Sequence, residues 1–235
     1  MRWDINANAT FLENKVTNFS GIYNTGGING QGLSGAYAQR IVNNRPLFSF
    51  FMPTFTGYDA KGLSIYTDET LSLDYVGSAI PTFNFGVTNN VSVGNFNFSM
   101  FWNGVSGNYI YNNTANAVFT KGNLRNGRNV TVEAANSAEN ALNPPLVSTR
   151  FLEKGSFARL SNLTVGYNIP LKSGGFARNL RVSLTGQNLL LITGYSGIDP
   201  EVNTNKSLDN IPSLGIDYTS FPSQRIVTFG VSAGF

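Results

Sequence analysis

The chain has 235 residues and a mass of 25.5 kDa, with 16 Lys and Arg against 13 Asp and Glu. It contains no Cys and no His, which excludes disulfides, thiolate nucleophiles, Cys/His zinc sites and a Ser-His-Asp triad within these residues. The net charge of +3 comes without a run of basic residues, so no nucleic-acid partner is expected.

The composition is polar but weakly charged. Charged residues make up 12% of the chain, about half the usual fraction, whereas aromatic residues make up 13% and Gly occupies 25 positions. Such a chain is expected to fold, because disordered chains are rich in charge and poor in aromatic residues. The longest aliphatic run covers only residues 189–192, so any crossing of a membrane would have to use β-strands.

Apolar residues at every second position predict seven β-strands, because successive side chains of a strand point to opposite faces. In the first segment, apolar residues at positions 3, 5, 7, 9 and 11 alternate with polar ones. The second segment alternates less cleanly, and Pro53 predicts its end or a bulge. In chain order the segments are 3–11, 47–55, 83–94, 96–103, 162–169, 180–187 and 226–235.

The non-apolar face carries Asn, Gln, Ser, Thr and Gly rather than the Lys and Glu of a solvated sheet. In a membrane barrel this face would line a watery interior, where amide side chains bind water, one another or a polar solute. The candidate residues facing this lumen are Asn84, Asn90, Asn162, Asn168 and Gln187.

The last segment alternates most strictly and is the strongest functional candidate. Its apolar positions would face lipid, and a terminal Phe behind them resembles the signal by which the barrel assembly machinery recognises its clients. Both interpretations stay open, because lipid contact and recognition need the same pattern. The positions are Val227, Phe229, Val231, Ala233 and Phe235.

The connections differ in length in a regular way. Short turns are predicted at 93–95 and at 171–179, which contains Gly174 and Gly175, whereas long polar segments follow Trp102 and Leu191. Short turns on one side and long loops on the other are typical of bacterial outer-membrane barrels, with the long loops outside the cell. The stretch 13–45 is an exception, because counting seven strands puts this long connection on the short-turn side.

Two other folds fit parts of the pattern. A soluble, carbohydrate-binding β-sandwich also alternates apolar and polar residues, but its apolar face is buried against a second sheet. A self-contained, porin-like small barrel needs an even number of strands and a partner for the first strand. Aromatic residues near the strand ends, such as Trp3, Trp102, Tyr167 and Phe235, favour a membrane barrel instead.

Several sequence blocks resemble one family. Residues 151–170, FLEKGSFARLSNLTVGYNIP, are similar to the penultimate conserved block of the SusC/RagA-type TonB-linked outer-membrane receptors. Residues 180–189 and 194–202 resemble the blocks that follow, and residues 215–235 resemble the family's C-terminus. Shorter matches near Trp3, Asn14 and Gly77 keep the family's order, so the resemblance covers almost the whole chain.

The resemblance implies an all-β fold, in which residues 1–235 supply about seven antiparallel transmembrane strands, with long extracellular loops, to the C-terminal part of a barrel of about 22 strands. It further implies a TonB-dependent importer of glycans or peptides in the outer membrane of a Gram-negative, Bacteroidota-like bacterium. The plug domain, TonB box and signal peptide of that family have no counterpart in this sequence, which is therefore interpreted as a C-terminal fragment.

The family resemblance also implies the partners. These are a SusD-like surface lipoprotein, the TonB complex through the missing N-terminal region, the barrel assembly machinery and outer-membrane lipid. Import breaks no bond, so no catalytic residue, enzyme activity or cofactor is expected.

The acidic residues give no strong site. Asp59, Asp68 and Glu69 lack the regular spacing of a calcium loop, so no metal site is predicted. Asp199, Glu201, Asp209 and Asp217 in the last long loop are assigned to solvation of that loop or to a lipoprotein contact.

Overall fold

A computed structural model describes residues 1–171 and 177–235, so the predicted turn with Gly174 and Gly175 lies outside the described residues. The chain is mainly β-structure. Its strands are, in chain order, β1 (Arg2–Phe11), β2 (Ile22–Gly27), β3 (Tyr37–Val42), β4 (Ser49–Met52), β5 (Phe55–Tyr58), β6 (Ser64–Tyr66), β7 (Asp74–Ser78), β8 (Phe83–Val93), β9 (Phe96–Ser106), β10 (Tyr109–Asn112), β11 (Leu152–Lys154), β12 (Phe157–Asn168), β13 (Asn179–Thr193), β14 (Ile216–Asp217) and β15 (Ile226–Gly234).

The helices are short. The α-helices are α1 (Asn113–Val118) and α2 (Val132–Asn136), and two 3₁₀ helices cover Lys121–Asn126 and Thr149–Phe151. The side chains of Asn112 and Thr131 accept hydrogen bonds from the first turns of α1 and α2, as N-cap residues do. In the described part of the chain, none of the helices has the length and apolarity needed to cross a bilayer.

Six long strands form the main sheet in the order β1-β8-β9-β12-β13-β15. Every neighbouring pair is antiparallel, so the sheet is a meander in which each strand pairs with the next long strand along the chain. The two-residue turn between β8 and β9 begins at Gly94, whose φ of +56° suits Gly. β1 and β15 are the two edges and do not pair with each other.

The strand register confirms the alternation predicted from the sequence. One row across the sheet consists of Trp3, Val91, Phe98, Val165, Leu184 and Phe229. The next row consists of Asp4, Asn90, Ser99, Thr164, Thr185 and Thr228. Adjacent rows lie on opposite faces, so the sheet has one apolar face and one polar face.

The predicted seventh strand at 47–55 is wrong as a strand of the main sheet. β4 covers only four of these residues, ends before Pro53, and pairs with β3 and β7 in a separate sheet of the order β2-β3-β4-β7. With six strands, residues 12–82 become one long connection between β1 and β8. The stretch 13–45 is then no longer an exception to the pattern of short turns at one end and long loops at the other, because all three long connections leave the sheet at the same end.

The three long connections fold together into a compact unit, here called the loop assembly (residues 12–82, 107–156 and 194–225). It contains the small sheets, including β11-β10-β14, in which β10 and β14 are parallel. The hydrophobic core lies within it and includes Phe50, Met52, Tyr111 and Ile216, each fully buried. No residue of the main sheet belongs to this core.

A bulge at Ser161 interrupts β12. Leu160 pairs with Trp102 of β9, and the next paired residue, Asn162, pairs with Phe101, so Ser161 is the extra residue. β13 is also irregular here, because Asn188 and Leu189 lie between paired residues. Asn188 has φ +53°, a left-handed conformation that Asn tolerates. Because two residues lie between the paired ones, β13 keeps its phase, and Leu190 and Ile192 lie on the same apolar face as Leu184.

Candidate functional site

The apolar face of the main sheet is open. Trp3, Leu184 and Phe229 are 61%, 51% and 69% exposed although they lie in one row with other apolar side chains. Monomeric soluble proteins rarely expose an apolar surface of this extent. Where such a surface is exposed, it marks a contact with another protein or with a membrane. The soluble sandwich alternative required this face to be buried under a second sheet, and in the described residues it is not.

Aromatic clusters mark both ends of this face. Phe11 and Phe83 lie at the loop end with ring centroids 4.9 Å apart, and Phe96 and Tyr167 lie at the turn end with centroids 4.7 Å apart. The predicted position of Trp102 near a strand end is wrong, because its register partners Val87 and Leu160 place it inside the sheet.

One polar residue on the apolar face has a local explanation. Asn89 interrupts the apolar positions of β8, and its Oδ1 accepts a hydrogen bond of 3.3 Å from the indole Nε1 of Trp3. The amide and the indole N–H therefore satisfy each other on an otherwise apolar surface.

The five candidate lumen residues lie on the polar face, as the register shows. Ser99 donates a hydrogen bond of 2.7 Å to Oδ1 of Asn90, so this amide is partly satisfied within the sheet. The side chains of the other four, Asn84, Asn162, Asn168 and Gln187, make no hydrogen bond with another described residue. Their amides are available to water or to a polar solute. The register brings Asn162 and Gln187 side by side, whereas Asn84, Asn90 and Asn168 lie in other rows of the sheet.

In β15, Val227, Phe229 and Val231 are 65%, 69% and 62% exposed, and Ala233 is exposed as well. Phe235, which follows β15 directly, is 68% exposed. The polar residues between them are also largely exposed. β15 pairs only with β13, so one edge of its backbone faces away from the sheet. With respect to the described residues, both faces and one edge of Ile226–Gly234 are therefore open to other molecules.

The loop assembly covers the polar face at one end and leaves the apolar face free. Phe157 and Arg159 lie on the polar face of β12, where they are 6% and 4% exposed. Ile192, on the apolar face at the same end, is 58% exposed. The long connections therefore fold inward over the polar side of the sheet.

Arg159 ties the third long connection to the sheet. Its Nη2 donates a hydrogen bond of 2.6 Å to Oδ1 of Asp199, and its Nε lies 2.7 Å from Oε2 of Glu201. Asp199 also accepts hydrogen bonds from the backbone N–H groups of Glu201 and Ser223. Burial raises the pKa of Asp199, but these N–H donors and the Arg159 charge outweigh burial and hold the pKa below its ordinary value.

The assignment of the last loop's acidic residues to solvation is wrong for two of them. Asp199 is 3% exposed and Asp217 is 6% exposed, and the hydroxyl of Tyr195 donates a hydrogen bond of 2.7 Å to Oδ2 of Asp217. Burial first and the Asp217 carboxylate second raise the pKa of Tyr195, so this hydroxyl stays protonated and donates. Asp209 is exposed, as the assignment requires.

A second buried ion pair lies in the loop assembly. Glu139 accepts two hydrogen bonds from Arg150, of 2.5 and 2.8 Å, in the bidentate geometry that suits a guanidinium and a carboxylate. Burial raises the pKa of Glu139, but Arg150, the Lys121 N–H and the Asn143 amide outweigh it, so the pKa lies below its ordinary value. Sequence reasoning missed both ion pairs, because their partners lie on different elements and share no motif.

The carboxylates of Asp59 and Asp68, which lie just after β5 and β6, accept hydrogen bonds from residues close to them in the sequence. Oδ1 of Asp59 accepts hydrogen bonds from the backbone of Lys61 and Leu63, and Asp68 accepts from Thr70 in the same way. These carboxylates close turns. Among the described residues, there is no group of three or more His, Cys, Asp or Glu side chains placed to hold a metal ion.

No protein-family model matches the chain. Among curated proteins, the TonB-dependent receptor P3 of Formosa agariphila is 29% identical over 199 residues, which cover 77% of this chain and 20% of the receptor. The TonB-dependent receptor P26 of the same organism is 30% identical over 185 residues, which cover 73% of this chain and 18% of that receptor. The TonB-dependent receptor SusC of Bacteroides thetaiotaomicron is 30% identical over 159 residues, which cover 64% of this chain and 15% of that receptor.

Solved structures show the same fold. A structure of the RagAB peptide transporter matches 99% of this chain and 27% of the matched chain, with a TM-score of 0.78 and 20% identity. The RagAB peptide importer in its open-open state matches with a TM-score of 0.71 and 17% identity. The chain thus spans about a fifth of the length of its curated relatives and about a quarter of the matched structures.

Proposed function

Because the chain shares the sequence blocks and the fold of a portion of the SusC/RagA-type TonB-dependent receptors, we propose that it forms part of the barrel wall of an outer-membrane nutrient importer. The segment corresponds to the C-terminal part of that barrel, and its β1 and β15 edges pair with further strands of the same barrel. The role is transport of a bound solute and not catalysis.

One observation carries the proposal. The six-stranded sheet exposes a continuous apolar face, while the main hydrophobic cluster of the described residues lies in the loop assembly. A sheet whose apolar face is left open, and whose polar face is covered at one end only, suits a wall between lipid on one side and a watery interior on the other.

The dimensions support the same role. Phe83 and Val93, at the two ends of β8, are ten residues apart. At about 3.3 Å per residue this is about 33 Å along the strand. A tilt of about 40°, usual in barrels, reduces it to about 25 Å of height, which equals the apolar band of outer-membrane barrels. The aromatic clusters at both ends of the face would then lie at the two membrane interfaces.

The proposal assigns partners to the surfaces. The apolar face contacts outer-membrane lipid, and the last strand with Phe235 serves recognition by the barrel assembly machinery. The polar face with Asn84, Asn90, Asn162, Asn168 and Gln187 lines the lumen. A SusD-like surface lipoprotein would bind on the side of the loop assembly, and the TonB complex would act through parts of the receptor outside this segment. These two partners rest on the family resemblance.

The topology can be tested in intact cells that produce the receptor with this segment. An epitope tag inserted at Gly127, an exposed residue in the second long connection, should bind antibody from outside. The same tag inserted in the β8–β9 turn at Gly94 should bind antibody only after the outer membrane is permeabilised. Equal reactivity of both tags in intact cells, or recovery of the protein in the soluble fraction, would overturn the proposal.

A further inference from the structure

A cavity of about 610 Å³ lies between the second and third long connections. Its lining includes Asn112, Thr114 and Phe119 around α1, Ala134 of α2, and Ile198 and Asp217 of the third connection. This volume falls in the range of about 300–1,000 Å³ usual for ligand sites. Nothing derived so far for the barrel wall makes use of this cavity.

The charge around the cavity is one-sided. Asp217 and Glu133 line it, whereas no Lys or Arg does. Asp217 is nearly buried, yet its oxygens are held only by hydroxyl groups, those of Tyr195 at 2.7 Å and Thr114 at 3.4 Å. None of the ion pairs in the described part of the chain involves Asp217 or Glu133.

A third carboxylate, that of Glu153, is hydrogen-bonded to residues that line the cavity. Glu153 accepts hydrogen bonds from Asn112 and Ser196, both of which line the cavity, and it too takes part in no ion pair among the described residues. Asp199 and Glu139 differ, because each has an Arg partner. Of the three carboxylates, Asp217 is buried, Glu153 is half-buried and Glu133 is exposed. A buried carboxylate such as that of Asp217 is costly without a positive partner unless a cation compensates it.

The rest of the lining combines apolar side chains with hydroxyl groups and the amide of Asn112. Phe119, Ala115 and Ala134 form one side, and Ile198 lies at the other with 69% of its surface exposed. Such walls suit an aliphatic group, while hydroxyl groups of Thr114 and Ser220 can orient a polar end.

We propose that this cavity binds a primary ammonium group carried on an aliphatic stem, with the ammonium beside Asp217 and Glu133 and the stem against Phe119 and Ile198. This inference rests on the proposed transport function, for which it names a ligand class on the loop side. Both the lysine side chain of a peptide and the protonated amine of an amino sugar carry such a positive charge. The apolar lining favours the lysine, because an amino sugar would place hydroxyl groups against Phe119 and Ala134.

The test uses the receptor that contains this segment, purified in detergent micelles, and isothermal titration calorimetry. The probes are acetyl-Leu-Lys-Leu-amide, the same peptide with its lysine acetylated, and a trimer of glucosamine. We expect the lysine peptide to bind at least about tenfold more tightly than the acetylated peptide, as loss of one favourable charge interaction would give. The glucosamine trimer should bind more weakly than the lysine peptide.

Two variants locate the site, and circular dichroism checks their fold. Ala134→Phe, which fills the cavity from a partly exposed helix, should abolish binding, and Glu133→Gln should weaken it several-fold. Asp209→Asn, which removes an exposed carboxylate away from the cavity, is the matched control and should bind as the unchanged chain does.

Several results would overturn the inference. They are the absence of binding, equal binding of the two peptides, binding that survives Ala134→Phe, and tighter binding of the glucosamine trimer. The epitope experiment is independent of all of these, since it reports the placement of the wall and not ligand binding. A correctly placed wall without peptide binding would refute the ligand site alone.

Discussion

At the scale of single residues, two buried ion pairs hold the loop assembly in place. Arg159 joins the sheet to the third connection through Asp199, and Arg150 joins Glu139 to the 3₁₀ helix at Thr149–Phe151. A buried ion pair is costly to form, and it is more costly to leave half of it unpaired. These pairs therefore act as fixed points for the connections that cover the polar face.

The first prediction concerns Arg159. Arg159→Ala leaves Asp199 buried without its cation, which costs about 3–5 kcal/mol. We expect residues 194–225 to lose protection in hydrogen exchange measured by mass spectrometry. Arg2→Ala is the control, because its pair with Asp4 is exposed and contributes about 0–1 kcal/mol. Equal protection of the loop in both variants would show that Arg159 does not anchor it.

The second prediction concerns pH. The pKa of Glu139 is lower in the folded chain than in the unfolded one, so its ionised form stabilises the fold above the unfolded pKa of about 4.3. This contribution is lost as the pH falls through the depressed folded pKa. The melting temperature of the loop assembly, followed by near-ultraviolet circular dichroism, should fall below about pH 4.3.

Glu139→Gln should lower the melting temperature at pH 7 and flatten its decline in acid, because the titrating group is gone. Glu69→Gln, at an exposed position, should leave the profile unchanged. A profile in which Glu139→Gln keeps the full acid-induced fall would assign that fall to other groups.

Sequence reasoning could place residues on faces but could not find these ion pairs. The candidate lumen residues follow from period two alone, because alternation fixes the face of every residue in a regular strand. Asp199 lies 40 residues from Arg159 along the chain, and only the folding of a connection back over the sheet brings them together. A loop path of this kind leaves no periodic signal.

At the scale of elements, alternation predicted the six strands of the main sheet and failed where strands are short or irregular. Phe50 and Met52 of β4 are buried in the loop assembly, so the apolar residues of this segment do not mark a strand of the main sheet. β13 extends past the predicted segment 180–187, with Asn188 and Leu189 between its paired residues, and the parity of its apolar face does not change. The predicted segment 162–169 is shorter than β12, because the bulge at Ser161 shifts the phase of the pattern in that strand. The alternation resumes beyond the bulge on the opposite parity.

The third prediction concerns the last strand. Phe235→Asp should reduce insertion of the receptor into the outer membrane, because it places a charge at the end of the apolar face and alters the terminal residue. Ser232→Asp changes the polar face of the same strand and is the matched control. Heat-modifiable migration of the folded barrel on a gel reports insertion. Normal migration of Phe235→Asp would rule out the recognition role.

At the scale of the whole molecule, the chain consists of a two-faced sheet without a core and a loop assembly that contains the core. The predicted resemblance to SusC/RagA-type receptors is confirmed by the curated TonB-dependent receptors and by the RagAB fold. The sheet's six strands and its two unpaired edges do not by themselves make a closed barrel. Partner strands for β1 and β15 are part of the proposal.

The central claim is that the apolar face touches lipid and the polar face touches water. The chain has no Cys, so single cysteines can be introduced at residues 226–234 one at a time and labelled with nitroxide in a receptor reconstituted in lipid vesicles. Electron paramagnetic resonance then compares collisions with oxygen, which concentrates in lipid, and with a water-soluble nickel complex.

We predict that labels at 227, 229, 231 and 233 collide mainly with oxygen and that labels at 226, 228, 230 and 232 collide mainly with the nickel complex. The two accessibilities should therefore alternate in opposite phase along the strand. An absence of alternation, or apolar positions shielded from both reagents, would contradict the account, because the face would then be packed against protein.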